Sequence, residues 1–424
     1  MKIDNKEIKY IPVSGKIFGK EEINNAIKVA KDGWWTEGEF AKIFENDFKK
    51  YLGVKHVSLV NSGSSANLLA VAALTSDLFG ERRLQAGDEF ITTSVAFPTT
   101  VNPGLQYGLK AVFVDAERDS FNIDVNLIEK AITKKTKLLM VAHTLGTPVN
   151  LSKLMPLVKK YKLWLIEDCC DALGSKYNNK FIGTFGDIST FSFYPAHHIT
   201  MGEGGALATN NPLIHKAIRR FRDWGRDCSC GTGQDNLCGR RFKQQMGELP
   251  YGYDHKYIYS EIGYNLKLTD FQAAIGVAQL KKLPKFIKKR QENYKELYNF
   301  FKKYEKYFVL MRVDKKADVS YFGFPLAVKE DAPFTRNELT EYLENNKIGT
   351  RNVFTGNLLR HPAYLKIKDQ FRVVGKMENA DFIMNNAFWM GVWPGIDQEK
   401  MNYVKKVIRK FLSRYEKSLS KDKF

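Results

Sequence analysis

Five short, unbroken apolar runs recur through the first 170 residues, and stretches of helical character separate them. They are HVSLV at 56–60, FITT at 90–93, AVFVD at 111–115, KLLMVAH at 137–143 and LWLIED at 163–168. Runs of this length that do not alternate with polar residues suit strands buried on both faces. Strands that take turns with helices give an α/β domain built on a parallel sheet. A helix is expected from about Ser64. From about Gln272 to Tyr307 the pattern turns long, helical and basic, and Pro284 is expected to kink or start a helix there. This stretch reads as a hinge and divides the chain into a large domain, 1–285, and a smaller one, 286–424. In the smaller part, residues 319–328 read as a strand, Asn337–Asn346 as an amphipathic helix, and the Lys-rich stretch from Met401 as a terminal helix.

Charge narrows the function less than it first suggests. The 424 residues hold 66 Lys and Arg against 47 Asp and Glu, a formal charge of +19. That balance is compatible with nucleic acid, an acidic membrane surface or phosphorylated small molecules. The basic residues lie on helices whose ordinary reading is a solvated face, and no motif of a DNA- or RNA-reading module is present. No nucleic-acid partner is expected. The longest apolar runs, such as Leu68–Leu74, fall far short of the ~20 residues of a membrane helix. The N-terminal MKIDNKEIKY has no apolar core of a secretory leader, so a cytoplasmic protein is expected. A hydrophobic content of 44% excludes a disordered chain. The 5 cysteines all lie between Cys169 and Cys238, which excludes a disulfide-dense scaffold.

Three stretches carry chemistry. Asn61-Ser62-Gly63-Ser64-Ser65-Ala66-Asn67 follows a strand and opens a helix, and free N–H groups with hydroxyls at such a place can hold a phosphate. Ile166-Glu167-Asp168-Cys169-Cys170-Asp171 ends a strand, where ligands of open α/β sheets bind. A carboxylate there could pair with a protonated heteroaromatic nitrogen. The third, Ser192-Phe193-Tyr194-Pro195-Ala196-His197-His198, leads into Gly202-Glu203-Gly204-Gly205. Cys170, Cys228, Cys230 and Cys238 are spaced C-x57-C-x-C-x7-C. On spacing alone they could hold iron–sulfur or zinc, or be plain buried thiols.

Read together, these stretches resemble the nucleotide-sugar aminotransferase and dehydratase family among the fold type I enzymes that bind pyridoxal phosphate (PLP). The resemblance runs from GKEEINNAI through AFPTTVNP, HTLG and GYNLKLTDFQAAIG to TRNVFTGNLLRHP and FWMGVWPGI. It implies a large domain with a mostly parallel seven-stranded sheet and a smaller α+β C-terminal domain. Aminotransferases of the family carry a lysine at the end of the Ser-Phe motif, and that lysine anchors the cofactor covalently. Here His197 stands in its place. An imidazole cannot form that bond but can act as a base near neutral pH. The exchange points to the family's dehydratases, which hold pyridoxamine phosphate (PMP) noncovalently and remove the C-3 hydroxyl of a nucleotide-linked 4-keto-6-deoxyhexose. The cofactor amine would condense with the C-4 ketone.

One dehydratase type acts on a GDP-sugar without metal and uses glutamate. The other acts on CDP-4-keto-6-deoxyglucose and carries a [2Fe–2S] cluster fed by an NADH-dependent iron–sulfur flavin reductase. The three spacings of the four cysteines resemble the second type, whose products lead to 3,6-dideoxyhexoses. The resemblance further implies that Asp168 pairs with the pyridine nitrogen and Phe97 stacks on the ring. Gly63, Ser64, Ser65 and Ser192 would hold the phosphate, and Asn265 would reach the phosphate of a partner subunit in a homodimer with shared sites. Asp171 and Tyr194 would belong with His197 and Asp168 to the catalytic set, and Tyr194 and Phe322 would line the site. Arg351, Arg360 and Arg372 would meet the nucleotide diphosphate, which guanidinium forks suit. Cys169 is left over as a buried thiol, and His198 as a neighbour pointing elsewhere.

Overall fold

The computed structural model describes residues 9–416. Most of MKIDNKEIKY, on which the reading of the N-terminus rests, lies outside the described residues. Eight strands form the central sheet, in the order His56–Val60, Gly205–Thr209, Ile188–Ser192, Trp164–Asp168, Thr136–Ala142, Glu89–Thr93, Lys110–Val114 and Phe371–Val374. Gly205–Thr209 runs against both of its neighbours, and the remaining pairs are parallel. Every residue of Glu89–Thr93, Trp164–Asp168 and Ile188–Ser192 is buried. This explains why their sequences do not alternate.

All five apolar runs are strands of this sheet, and Ile188–Ser192 and Gly205–Thr209 complete the seven that the resemblance implies. An eighth is added by Phe371–Val374, whose Arg372 makes a two-pronged ion pair with Glu89 at 2.7 and 2.8 Å. A second, antiparallel sheet of Phe308–Leu310, Gly323–Val328, Ala387–Gly391 and Thr350–Asn352 forms the core of the C-terminal part.

Helix Asp270–Phe301 joins the two parts. It begins in a capping box between Thr269 and Gln272 and runs as one element through Pro284, so position 285 falls in mid-helix. Its first residue, Asp270, is buried and accepts hydrogen bonds from the N–H groups of Gly38, Phe40 and Ala41 at 3.1, 3.1 and 2.8 Å. The carboxylate thereby satisfies the free donors that open helix Glu39–Leu52 and faces the positive end of its dipole. Among the described residues, no helix is long and apolar enough to cross a membrane.

Candidate active site

The carboxyl ends of the parallel strands open into a cavity of about 1170 Å³. Asp168, the last residue of its strand, forms part of the floor. One carboxylate oxygen accepts from Asn67 Nδ2 and Thr100 Oγ1, both at 2.8 Å, and the other accepts from the Cys170 N–H at 3.1 Å. Asn67 is itself fixed by Thr190 Oγ1, which donates to Asn67 Oδ1 at 2.6 Å. A carboxylate held this firmly at a strand end suits a cationic ring nitrogen. Neither Asn67 nor Thr100 stood out in the sequence as a site residue, although both lie inside the quoted motifs.

The phosphate end of the cavity follows from the helix that opens at Gly63. Ser62 is its N-cap and accepts from the Ser65 N–H at 3.0 Å. Ser62, Gly63, Ser64 and Ser192 line the cavity. A Cβ on Gly63 would lie 2.5 Å from the Ser192 Cβ and 3.1 Å from the Cys170 sulfur, so only glycine leaves this cradle open. Ser65 does not line the cavity. Its hydroxyl pairs with Ser62 at 3.0 Å, and Ser62 takes its place in the wall.

His197 lines the same cavity, with its ring centroid 5.2 Å from that of Phe322. Its Nδ1 lies 3.5 Å from Asp171 Oδ1 and has no hydrogen-bond partner. Burial pulls the imidazole down to about 4. Burial, reinforced by the charge of Asp168, pushes the Asp171 carboxyl up to about 8. At neutral pH the pair is therefore an uncharged imidazole beside an uncharged acid. His198 turns away, with Nε2 2.9 Å from the Ser320 carbonyl.

Behind His197 sits Arg290, 1% exposed, which donates to the carbonyls of His197, Tyr321 and Phe322 at 3.1, 3.2 and 3.0 Å. The sequence hid this residue inside a helix whose basic residues read as solvated. Phe97 and Tyr194 stand half-exposed at the cavity wall, and Phe322, Trp389 and Arg351 line its far side.

Several expected site residues are elsewhere. Arg360 is exposed and makes a two-pronged ion pair with Asp381 at 3.0 and 2.6 Å. Arg372 braces the eighth strand through Glu89. Neither lines the cavity, because each guanidinium is already occupied by a carboxylate of its own part of the fold. Of the three arginines only Arg351 lines it, and among the described residues it is the cavity's one Lys or Arg. Asn265 is exposed outside the cavity and accepts from Lys267 Nζ at 2.9 Å.

The four cysteines do not meet within one chain. Cys170 lies on the cavity floor beside Gly63, and burial, with the charge of Asp168, keeps its thiol protonated at neutral pH. Cys228, Cys230 and Cys238 line a separate recess with His255, Arg241 and Lys256. The two groups sit on different elements, a strand end and the loop 226–264, which explains the separation. Within one chain the four expected thiols are thus a recess of three and a fourth apart. Among the described residues, the one set of three or more His, Cys, Asp or Glu ligand atoms within 4.8 Å of one another is His143, Glu167 and Cys169. Its Glu167 already accepts from the N–H groups of Gly183, Phe185 and Gly186, so the set reads as part of the framework.

The residues fit a pyridoxal-type cofactor on their own terms: a fixed carboxylate on the floor, a glycine-dependent cradle at a helix start, and an imidazole with an unpartnered nitrogen. Fold and sequence comparisons define the class. The profile of the DegT/DnrJ/EryC1/StrS aminotransferase family matches residues 16–409, and the chain belongs to this family. The fold is type I of the PLP enzymes.

Among the relatives, a lipopolysaccharide biosynthesis protein, RfbH, of Salmonella typhimurium is 52% identical over 394 residues, 93% of this chain and 90% of the relative. A dTDP-4-dehydro-2,6-dideoxy-D-glucose 3-dehydratase of Saccharopolyspora spinosa is 43% identical, covering 95% of this chain and 86% of the relative. The solved structure of E. coli GDP-4-keto-6-deoxy-D-mannose-3-dehydratase with bound hydrated PLP superposes with a TM-score of 0.83 at 30% identity, covering 94% and 99% of the two chains.

Proposed function

We propose that the chain is a PMP-dependent 3-dehydratase of a nucleotide-linked 4-keto-6-deoxyhexose. The observation that carries this reading is that, among the described residues, no lysine lines the cavity and His197 does, held neutral by its burial. Transamination in this family needs an amine that anchors the cofactor and releases it. A neutral imidazole supplies a base instead.

When bound, the cofactor supplies an amine for the C-4 ketone and a conjugated ring that accepts and returns an electron pair. Asp168 would keep the ring nitrogen protonated, with Asn67 and Thr100 holding the carboxylate in place. Ser62, Gly63, Ser64 and Ser192 would hold the phosphate. His197 would take the proton from the carbon that bears the cofactor amine, and Asp171 would adjust the charge at the imidazole. Phe97 and Phe322 would exclude water from the ring. Arg351 would meet the diphosphate.

The finer reading is that the sugar is CDP-4-keto-6-deoxyglucose, and that loss of the C-3 hydroxyl is followed by two electrons from an NADH-dependent reductase through a [2Fe–2S] cluster. It rests on the cysteine spacing and on 52% identity to a lipopolysaccharide biosynthesis protein. The 43% identical dTDP-sugar dehydratase makes dTDP the competing nucleotide. A metal-free dehydratase that uses glutamate is the second reading, favoured by the separation of Cys170 from the other three thiols.

His197→Lys tests the core of the proposal. The variant is expected to bind the aldehyde form of the cofactor covalently, seen as a borohydride-trapped mass increase, and to lose dehydration. Retained dehydration in that variant would overturn the role of His197. Anaerobic turnover of the wild type with CDP-, dTDP- and GDP-linked substrates separates the finer readings.

A further inference from the structure

The loop between Arg226 and Tyr264 is braced as a unit outside its own active site. Its base is pinned by bridges between Asp223 and Asn265 and between Arg226 and Tyr259. Asp227 is paired with Arg220, and its other oxygen lies 2.8 Å from His255 Nε2. Arg241 grips Asp254 at 2.8 and 2.6 Å, and Lys256 pairs with Asp235. Thr232 donates to Glu37 at 3.1 Å, which ties the loop to the N-terminal segment. No residue between Gly204 and Tyr321 lines the cofactor cavity. Cys228, Cys230 and Cys238 are thus held together on a loop that stays away from the Cys170 of its own chain.

Two deficits match. The loop exposes large apolar side chains, with Leu237 67%, Tyr251 72% and Ile262 96% exposed and Phe242, Tyr257 and Tyr259 more than half exposed. Such a patch marks a protein-binding surface. The carboxylates of Asp168 and Glu203 line the cavity, Asp171 being an uncharged acid at neutral pH, and among the described residues Arg351 is the one Lys or Arg set against them, too little positive charge for a phosphate-bearing cofactor and a diphosphate. Arg240 and Lys243 lie on the loop, while Arg241 and Lys256 are already paired with its own Asp254 and Asp235. A second copy of this chain, bringing its loop to the cavity, would cover the patch, supply positive charge and add three thiols near the fourth.

We propose that the metal centre is shared between two copies of the chain: Cys228, Cys230 and Cys238 of one protomer with Cys170 of the partner subunit. The proposal rests on the iron–sulfur reading above. The four thiolates of a [2Fe–2S] cluster would then come from two chains, and the cluster would sit at the phosphate end of the cavity, where Cys170 borders Gly63 and Ser192.

The test uses differently tagged Cys170→Ser and Cys228→Ser chains, each alone and coexpressed, with the mixed dimer isolated anaerobically through both tags. Iron content and the electron paramagnetic resonance signal after reduction are read, and thermal melting checks folding. Each homodimer is expected to lack the cluster. The mixed dimer, which retains one intact pairing of Cys170 with three thiols, is expected to hold half the iron of the wild-type dimer with the wild-type signal. A mixed dimer without iron, beside an iron-loaded wild type, would overturn the shared centre. So would a Cys170→Ser homodimer that keeps its iron while His255→Ala loses it, since His255 Nδ1 lies 3.9 Å from the Cys238 sulfur and would then be the fourth ligand within one chain. A wild type that binds no iron would instead refute the iron–sulfur reading itself.

Discussion

Gly63→Ala probes the cradle with the smallest possible change. The added Cβ would lie 2.5 Å from the Ser192 Cβ and 2.9 Å from its Oγ, against an ordinary carbon contact of ~3.5–4.0 Å. An overlap of about 1 Å must be relieved by moving the helix start or the end of strand Ile188–Ser192. Overpacking of this kind costs roughly 1–3 kcal/mol. Alanine recovers about 1 kcal/mol over glycine through helix propensity, because Gly63 is the first residue of helix Gly63–Leu74. Stability should therefore fall by no more than about 2 kcal/mol.

Binding should suffer more. The displaced turn loses its aim at the phosphate, and one hydrogen bond to a charged group is worth about 1.5–3 kcal/mol, a roughly 10- to 150-fold weaker PMP affinity. Calorimetric titration with PMP, alongside a melting curve, separates the two effects. A variant that binds PMP as tightly as the wild type would refute the placement of the phosphate at this turn.

Other substitutions test other parts of the site. Solvent exchange of the cofactor's transferable proton should lose its rate as pH falls through about 4, where His197 becomes protonated, and change again near 8, where Asp171 ionises. Asp171→Asn should erase the upper transition alone, and its survival would reassign it. Arg290→Met leaves three carbonyls without their donor and should destabilise the fold by about 3–5 kcal/mol in denaturant unfolding. A change below about 1 kcal/mol would mean the guanidinium is not what holds the His197 turn.

Arg372→Ala should lower stability by about 2 kcal/mol without altering nucleotide affinity, because its partner Glu89 is a framework carboxylate. The Arg372 guanidinium holds that carboxyl down at about 2, so the pair's contribution is full above the ordinary carboxylate range and fades as pH falls through 2. Loss of nucleotide binding in Arg372→Ala would restore it to the substrate site.

The sheet was legible because strands buried on both faces leave unbroken apolar runs. All five runs became strands within a residue or so of their expected limits. Ile188–Ser192 and Gly205–Thr209 were hidden by small and polar residues, Ser and Thr in one and Gly and Ala in the other, whose place in the sheet is set by their neighbours. Phe371–Val374 was invisible for a different reason: its partner, Lys110–Val114, lies more than 250 residues away, and the pairing is braced by an ion pair that no local pattern announces.

Within the site, motif residues at strand ends and helix starts were readable, since the chain's own turn places them. Arg360 and Arg372 misled because charge alone does not say which guanidinium is already paired. Arg290 was missed because one buried arginine in a basic helix has the same local signature as its solvated neighbours.

Mass analysis of one product separates dehydration from transamination at this site. The wild type would be incubated anaerobically with PMP, CDP-4-keto-6-deoxyglucose, a reductase and NADH, and the sugar nucleotide examined. The expected product keeps its C-4 ketone and has lost the C-3 oxygen. A 4-amino sugar that retains its C-3 hydroxyl would contradict the dehydratase reading.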